Sequence, residues 1–235
     1  MKITREKFKT YKNVFDNWTE RNLFKLSSQG YFEKLIGPIS IGKEANVFKA
    51  IDKEGNPVAV KIYRLENCDF NRMYDYIKYD PRYLSLKKNK RTIIFSWAHR
   101  EYRNLLQARE IGLNVPTPRT CRDNIVIMDY IGDKEAAPML KDQEPKNPSE
   151  FLKKVIDNVK KYYKGGFVHG DLSSFNILNY KETPVLIDFS QATPTTNQNA
   201  KELLERDIKN IIHYFKKIGL KEQAEDILKN ILKKK

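Results

Sequence analysis

The feature that most constrains this chain is the stretch Val168-His169-Gly170-Asp171-Leu172-Ser173-Ser174-Phe175-Asn176-Ile177-Leu178, followed twelve residues after Asn176 by Asp188 at the end of the apolar run Val185-Leu186-Ile187. A carboxylate and an amide five residues apart fit one loop. A second carboxylate leaving a strand end must then be brought back beside them. Three such oxygen-bearing side chains suit phosphoryl transfer from a nucleotide. One carboxylate orients or deprotonates the attacking hydroxyl, and hard oxygen ligands hold Mg2+ against the phosphates. In this reading Asp171 faces the acceptor, while Asn176 and Asp188 face the metal. A lone Asp-Leu ahead of an Asn would be a chance loop. His, Asp, Asn and a strand-terminal Asp in this order and spacing are specific.

The other half of such a site belongs upstream. The segment Ser40-Ile41-Gly42-Lys43-Glu44-Ala45-Asn46-Val47 occupies the turn where a phosphate-cradling loop is needed, and Lys61 sits mid-strand between Val60 and Ile62. A lysine facing a cleft there contacts α- and β-phosphates and needs a carboxylate to hold it; Glu101, on the next helix, is the natural partner. Taken alone, Lys61 reads as a solvent-facing strand residue and Glu101 as a solvated helix residue. The downstream loop reverses that preference.

The periodicity predicts helical structure over residues 1–35, stopping at Gly30, with Phe15, Trp18, Leu23, Phe24 and Leu26 at helical spacing. A β-hairpin follows, with a tight loop in its first strand (38–50) and a second strand over 58–63. Residues 64–91 carry eight basic and four acidic side chains together with Tyr74, Tyr76, Tyr79 and Tyr83. They read either as a helical excursion packed on its parent lobe, the preferred reading, or as a base-stacking surface. A helix over 96–109 places Trp97, Tyr102, Leu105 and Leu106 on one side and ends at Gly112. A strand covers 124–131, and the polar stretch from Gly132 to Pro148 reads as a linker between lobes. Asn147-Pro148 starts a helix with Phe151, Val155, Ile156, Val159 and Tyr163 on one face, stopped by Gly165-Gly166. Two further helices cover 203–215 and 224–232, and only the terminal Lys233-Lys234-Lys235 is low in complexity. Strands first and helices later predict an α+β protein of two lobes.

Composition sets the class of partner. Lys plus Arg number 44 against 30 Asp plus Glu, a net charge of +14 in 235 residues, of which 40% are apolar. That excess suits polyanions such as RNA, DNA, nucleotide phosphates or an acidic membrane surface, and equally a solvated lysine-rich surface. Cys68 and Cys121 rule out a disulfide scaffold and a four-thiolate metal site, and read as ordinary core thiols. His99 and His213 read as surface or structural residues, and His169 as shaping the loop that carries Asp171. With no apolar run approaching the ~18 residues that span a bilayer and no apolar signal core at the start, the expectation is a soluble cytoplasmic protein that engages no membrane.

On these residues the chain resembles the RIO family of atypical serine/threonine kinases, most closely its type-one subgroup. The segments that carry the resemblance are residues 39–48, 59–63, 97–104, 128–132, the Asp171 loop, and Ile187-Asp188-Phe189-Ser190-Gln191, with the approach segment from Val14 to Tyr31. The resemblance implies a two-lobed protein-kinase-like fold, with a β-rich N-terminal lobe and a helical C-terminal lobe, lacking an activation segment and peptide-binding helices. It divides the chain into an N-terminal lobe (1–128), a hinge (129–133) and a C-terminal lobe (134–235). It makes Asp171 the catalytic base, Asn176 and Asp188 the metal ligands, Lys61 and Glu101 the ion pair, and residues 40–47 the nucleotide loop. Backbone groups near Asp129 and Ile131 would meet the adenine, with Met128 behind it. ATP and Mg2+ would be the cofactors, with Mn2+ as an alternative metal. The implied role is maturation of the small ribosomal subunit, by phosphorylation of a protein or by ATP turnover that drives release from the precursor particle or its RNA. Asp188 is then a candidate phospho-acceptor. Two positions depart from the subgroup: Ile41 stands where Thr is usual, and Ser174 where an acidic residue is common.

Two other readings use the same residues. Aminoglycoside and choline kinases, small-molecule phosphotransferases, also carry a His-Gly-Asp loop and a later Ile-Asp, but the Gly-Lys-Glu-Ala loop and basic insertion argue against them. A non-catalytic RNA-associated scaffold ranks third, because every proposed catalytic residue is present.

Overall fold

The computed structural model describes residues 15–66, 68–78, 80–83 and 86–233. The first fourteen residues of the expected N-terminal helix, Tyr79 and the last two lysines lie outside the described residues. The chain forms two compact units, one of residues 1–103 and 117–130, the other of residues 104–116 and 131–235.

The first unit opens with α1 (Asn17–Ser28). Asp16 caps it, accepting the N–H groups of Trp18 and Thr19 at 2.9 and 3.0 Å. The helix ends ahead of Gly30, which takes φ +88°, and residues 34–35 are already strand. Leu23 and Leu26 are buried, whereas Trp18 and Phe24 are 39% and 37% exposed. At about 100° per residue both lie roughly 100° or more from Leu23, so the apolar stripe is narrower than their spacing suggested.

Strands β1 (Lys34–Ile41), β2 (Ala45–Ile51) and β3 (Pro57–Tyr63) form an antiparallel meander. The expected loop within one strand is the turn at 42–44 that separates β1 from β2. Beyond β3 come β5 (Ile125–Asp129) and, at the edge, β4 (Pro118–Arg122), giving the order β1-β2-β3-β5-β4. The sheet and α1 share one core that includes Leu23, Leu26, Phe32, Phe48, Val58, Val60, Ile125 and Ile127. Between β3 and the next long helix lie α2 (Phe70–Ile77), capped by Asp69, and a short 3-10 turn over Pro81–Tyr83. The described part of this insertion is thus a packed helical excursion, with Met73 and Ile77 buried. The long helix, α3 (Lys90–Glu110), begins six residues earlier than its periodicity indicated. Asn89 caps it, accepting from Arg91 and Thr92. Trp97 and Leu105 are buried, Tyr102 is half-buried, and Leu106 is exposed rather than sharing their face.

In the second unit α4 (Pro148–Lys164) starts as expected, with Asn147 accepting the N–H of Glu150 and Pro148 in the first turn. Buried Phe151, Val155 and Val159 of α4 share this unit's core with Leu204, Ile208, Ile211 and Phe215 of α5 (Ala200–Lys217). Tyr162, rather than Tyr163, is the buried tyrosine of α4. Three short strands escaped the sequence reading, β6 (Phe167–Val168), β7 (Ile177–Tyr180) and β9 (Thr193–Pro194), whereas β8 (Thr183–Leu186) is the strand expected ahead of Asp188. β6 pairs with β9, and β7 with β8. The final helix, α6 (Ala224–Leu232), matches its expected bounds. Among the described residues no helix is long and apolar enough to cross a membrane.

Candidate active site

The residues singled out by sequence fall into two groups, one in each unit. In the first unit, Gly42 turns the chain between β1 and β2, and its N–H donates to the Ala45 carbonyl at 3.0 Å. A Cβ on Gly42 would stand 2.7 Å from that carbonyl oxygen, so only glycine fits. The Glu44 carbonyl accepts from the Arg64 N–H, which ties the loop to the end of β3. Ser40, Glu44, Ala45 and Val47 are half-buried, Lys43 is exposed, and Asn46 is buried. Ile41 points outward and is 63% exposed, which explains how an apolar residue is tolerated where a hydroxyl was expected.

Lys61 lies on β3 opposite Val47 and Val126. Its Nζ donates to Glu101 Oε1 at 2.7 Å, and both side chains are buried. The other oxygen of Glu101 accepts a short hydrogen bond from the Tyr63 hydroxyl. Lys61 and Tyr63 are two apart on one strand and so share a face, which lets both reach one carboxylate. Tyr63 was not singled out from sequence, although its spacing from Lys61 was the available signal. At the end of β5, Met128 is buried. Asp129 donates its N–H to the Thr117 carbonyl and accepts Arg119 Nε at 2.9 Å.

In the second unit, β7 and β8 form a hairpin whose turn residues, Lys181 and Glu182, have φ of 52° and 60°. That hairpin pairs Ile177 with Leu186 and lets the Ile187 N–H donate to the Asn176 carbonyl at 3.0 Å. Asp188 is thereby returned beside the Asp171 loop, as the sequence required. Asn176 Nδ2 donates to the Asp171 carbonyl at 2.7 Å and reaches Asp171 Oδ2 at 3.3 Å. Both partners are acceptors, which fixes the amide's orientation and turns Oδ1 away from Asp171. Asp188 takes a left-handed backbone, φ 61° and ψ 69°, and its Oδ1 accepts from Ser190 Oγ at 2.8 Å.

His169 shapes this loop. Its Nδ1 accepts the Asp171 N–H at 3.3 Å, so the proton sits on Nε2, which faces the Ile187 carbonyl at 3.1 Å. The ring thus links the residue before Asp188 to Asp171. Beneath the loop lies buried Asp207 of α5, accepting the N–H groups of Gly170 and Leu172 at 2.7 and 2.8 Å. Burial pushes the Asp207 carboxyl up to about 7, against the two N–H donors and the nearby Arg206 charge, which favour the ionised form. Arg206 donates to the Gly170 carbonyl and Asn210 to that of Leu172. None of these three α5 residues was foreseen. The readable sign was an acid within the apolar stripe Leu204, Ile208, Ile211, Ile212.

His99 and His213 are exposed. Cys68 is buried and Cys121 half-buried, and burial raises both thiols above their ordinary range, which disfavours the nucleophilic thiolate.

A five-stranded antiparallel sheet carrying a buried Lys–Glu pair, and a helical unit carrying an Asp–Asn loop with a returning Asp, define the protein-kinase class of fold. Residues 46–228 match the family described as the RIO domain. The chain is 41% identical over 229 residues to the RIO-type serine/threonine-protein kinase Rio1 of Methanocaldococcus jannaschii, spanning 96% of this chain and 78% of that one. It is 34% identical over 223 residues to the Rio1 kinase of Haloferax volcanii, spanning 94% and 77%. Among solved structures, the Rio2 kinase–ADP/Mg2+–phosphoaspartate complex of Chaetomium thermophilum superposes with a TM-score of 0.67 at 22% identity, over 90% of this chain and 65% of that one. The chain belongs to the RIO family and is a RIO1-type atypical serine/threonine protein kinase. These comparisons favour a protein kinase over a small-molecule phosphotransferase.

Proposed function

We propose that this kinase uses ATP with Mg2+, or Mn2+. The observation that carries this reading is the Asp171–Asn176–Asp188 arrangement. The Asn176 amide nitrogen is committed to Asp171, which leaves its oxygen to pair with the Asp188 carboxylate as a hard-oxygen donor set of the kind Mg2+ takes. Bound there, the metal would supply charge neutralisation at the phosphates.

The chain's own residues do the rest. Lys61, aimed by Glu101, holds the α- and β-phosphates. The turn at 40–47 covers the phosphates with backbone N–H groups. Asp129 and Ile131 offer backbone contacts to the adenine, with Met128 behind. Asp171 accepts the proton of the attacking hydroxyl as its oxygen bonds to the γ-phosphorus and the bridging oxygen leaves with ADP.

We further propose that ATP turnover itself is part of the activity, with the Asp188 carboxylate as an alternative acceptor. Its oxygen would attack the γ-phosphorus, ADP would leave, and water would hydrolyse the acyl phosphate to inorganic phosphate. The phosphoaspartate of the related Rio2–ADP/Mg2+ complex supports this. The partner we propose is the small ribosomal subunit precursor or its RNA, in the cytoplasm. The family resemblance and the charge of +14 support it.

The test is ATPase and autophosphorylation assayed with and without purified small-subunit precursor, on wild type, Lys61→Ala, Asp171→Asn and Asp188→Asn. Both activities should fall at least about 100-fold in Asp171→Asn, given that general base catalysis is worth 10²–10⁴. A hydroxylamine-labile phosphate should be absent only in Asp188→Asn among variants that still turn over. Full ATP turnover by Lys61→Ala or Asp171→Asn would overturn the reading.

A further inference from the structure

Among the described residues, the Asp, Glu, Lys and Arg side chains that are buried are Lys61, Asp80, Arg100, Glu101 and Asp207. Two of them, Arg100 and Glu101, are consecutive on α3. Successive side chains leave a helix about 100° apart, so these two grip different neighbours. Glu101 meets Lys61 of β3. Arg100 meets Asp80, in the insertion between β3 and α3, with Nε 3.3 Å from Oδ2.

Asp80 is itself firmly fixed. Arg82 donates to it through Nε at 2.9 Å and Nη2 at 2.6 Å, and the Arg82 N–H adds a third bond at 3.1 Å. The Asp80 N–H donates to the Ile77 carbonyl, and the Tyr83 N–H to the Asp80 carbonyl, which locks the residue between α2 and the 3-10 turn. On the α3 side, the Arg100 guanidinium lies 5.3 Å from the Trp97 ring centroid, and Trp97 takes Tyr76 of α2 edge-on at 6.1 Å. Although burial opposes its charge, the hydrogen bonds and charge of Arg82, with the charge of Arg100, hold the Asp80 carboxyl below its ordinary value.

An apolar pair at these positions would fasten the insertion at least as strongly, because burying two charges costs about what their attraction returns. The distinctive use of a buried ion pair is to fix register. Register matters here. A one-residue shift in the register of α3, about 1.5 Å along its axis and about 100° around it, would turn Glu101 away from Lys61 and put Arg100 or Tyr102 in its place.

We propose that Asp80 and Arg100 are positioning residues for the kinase reaction. By holding α3 one residue before Glu101, they set the register in which Glu101 meets Lys61 and tie the insertion to the phosphate-binding lysine. This rests on the reading of Lys61 as that lysine.

The experiment compares KM for ATP, kcat and melting temperature in wild type, Asp80→Asn, the double variant Asp80→Leu/Arg100→Met, and Lys61→Ala, each assayed well below its own melting temperature. The double variant removes both charges and keeps apolar volume, so it stays folded while the register is released. We expect KM for ATP to rise about 5- to 10-fold in the double variant. An intermediate rise in Arg100→Lys would show rescue by a retained charge. A folded double variant with wild-type KM and kcat overturns the proposal, since a purely structural anchor would move only the melting temperature. If the double variant does not fold, Asp80→Asn at low temperature carries the same two outcomes. Undiminished activity in Lys61→Ala would overturn the underlying reading instead, and is distinguishable because it does not involve Asp80 or Arg100.

Discussion

Lys61 and Glu101, 40 residues apart in sequence, meet at 2.7 Å with both side chains buried, and the Tyr63 hydroxyl satisfies the second oxygen of the same carboxylate. A buried carboxylate stripped of a donor keeps the cost of its desolvation. Hydrogen bonds to charged groups are worth roughly 1.5–3 kcal/mol. Tyr63→Phe should therefore destabilise the protein by about 2 kcal/mol and raise KM for ATP a few-fold by loosening Glu101. Denaturant unfolding and steady-state kinetics check both. An unchanged KM alongside the stability loss would show that Lys61 alone orients Glu101.

Gly170 precedes the proposed base with φ +77°, and a Cβ there would stand 3.0 Å from the Gln191 backbone oxygen. The left-handed backbone alone costs a non-glycine residue roughly 1–2 kcal/mol, and the clash adds to it. Gly170→Ala should lower stability by at least about 1 kcal/mol and reduce kcat more than it raises KM for ATP, because it displaces Asp171 rather than Lys61. Thermal unfolding and a full kinetic comparison test this. A loss confined to KM would mean that the loop tolerates the added methyl.

Much of the candidate site's geometry was legible in spacing along the chain. Asp171, Asn176 and Asp188 had to converge, and Lys61 needed an acid on the next helix. What could not be read was the means of convergence. The β7–β8 hairpin turns on Lys181 and Glu182 at positive φ, where Asn-Gly or Asp-Gly is the readable signal. Edge strand β4, Pro118-Arg119-Thr120-Cys121-Arg122, opens with proline and carries two arginines, a composition that hides a strand. Asp207 acts on backbone N–H groups of a loop 35 and 37 residues away, so no side-chain pattern announces it. Trp18 and Phe24 show the converse, since helical spacing alone does not say how wide the buried stripe is.

Asp207 offers a test of electrostatics under the Asp171 loop. Its carboxyl is pushed up to about 7 by burial, above the 3.8 of an ordinary aspartate. Between those values the native state holds a proton that the unfolded chain has released, so this group's contribution to stability falls as pH rises from about 4 to 7. At about 1.4 kcal/mol per pKa unit the full effect is on the order of 4 kcal/mol. Asp207→Asn removes the titration and leaves one backbone N–H facing an amide donor. The variant should be less stable than wild type at pH 4, and the gap should narrow toward pH 8. Unfolding free energies across that range decide it. A gap that widens with pH would mean that the two N–H donors and Arg206 outweigh burial.

Ser190 reports on the proposed metal site without belonging to it. Asp188 sits in left-handed backbone, a conformation that costs a non-glycine residue roughly 1–2 kcal/mol, and the 2.8 Å bond from Ser190 Oγ to its Oδ1 helps hold the carboxylate in one orientation. Ser190→Ala deletes that donor from a buried position and should cost about 1 kcal/mol of stability. If Asp188 binds the metal, an unrestrained carboxylate binds it less well. The Mg2+ concentration for half-maximal activity should then rise about 3- to 5-fold, a loss of under 1 kcal/mol, while KM for ATP at saturating Mg2+ stays near wild type. A Mg2+ titration at fixed ATP measures this directly. An unchanged Mg2+ dependence with a lowered kcat would place the function of the Ser190 hydroxyl elsewhere and remove support for Asp188 as a metal ligand.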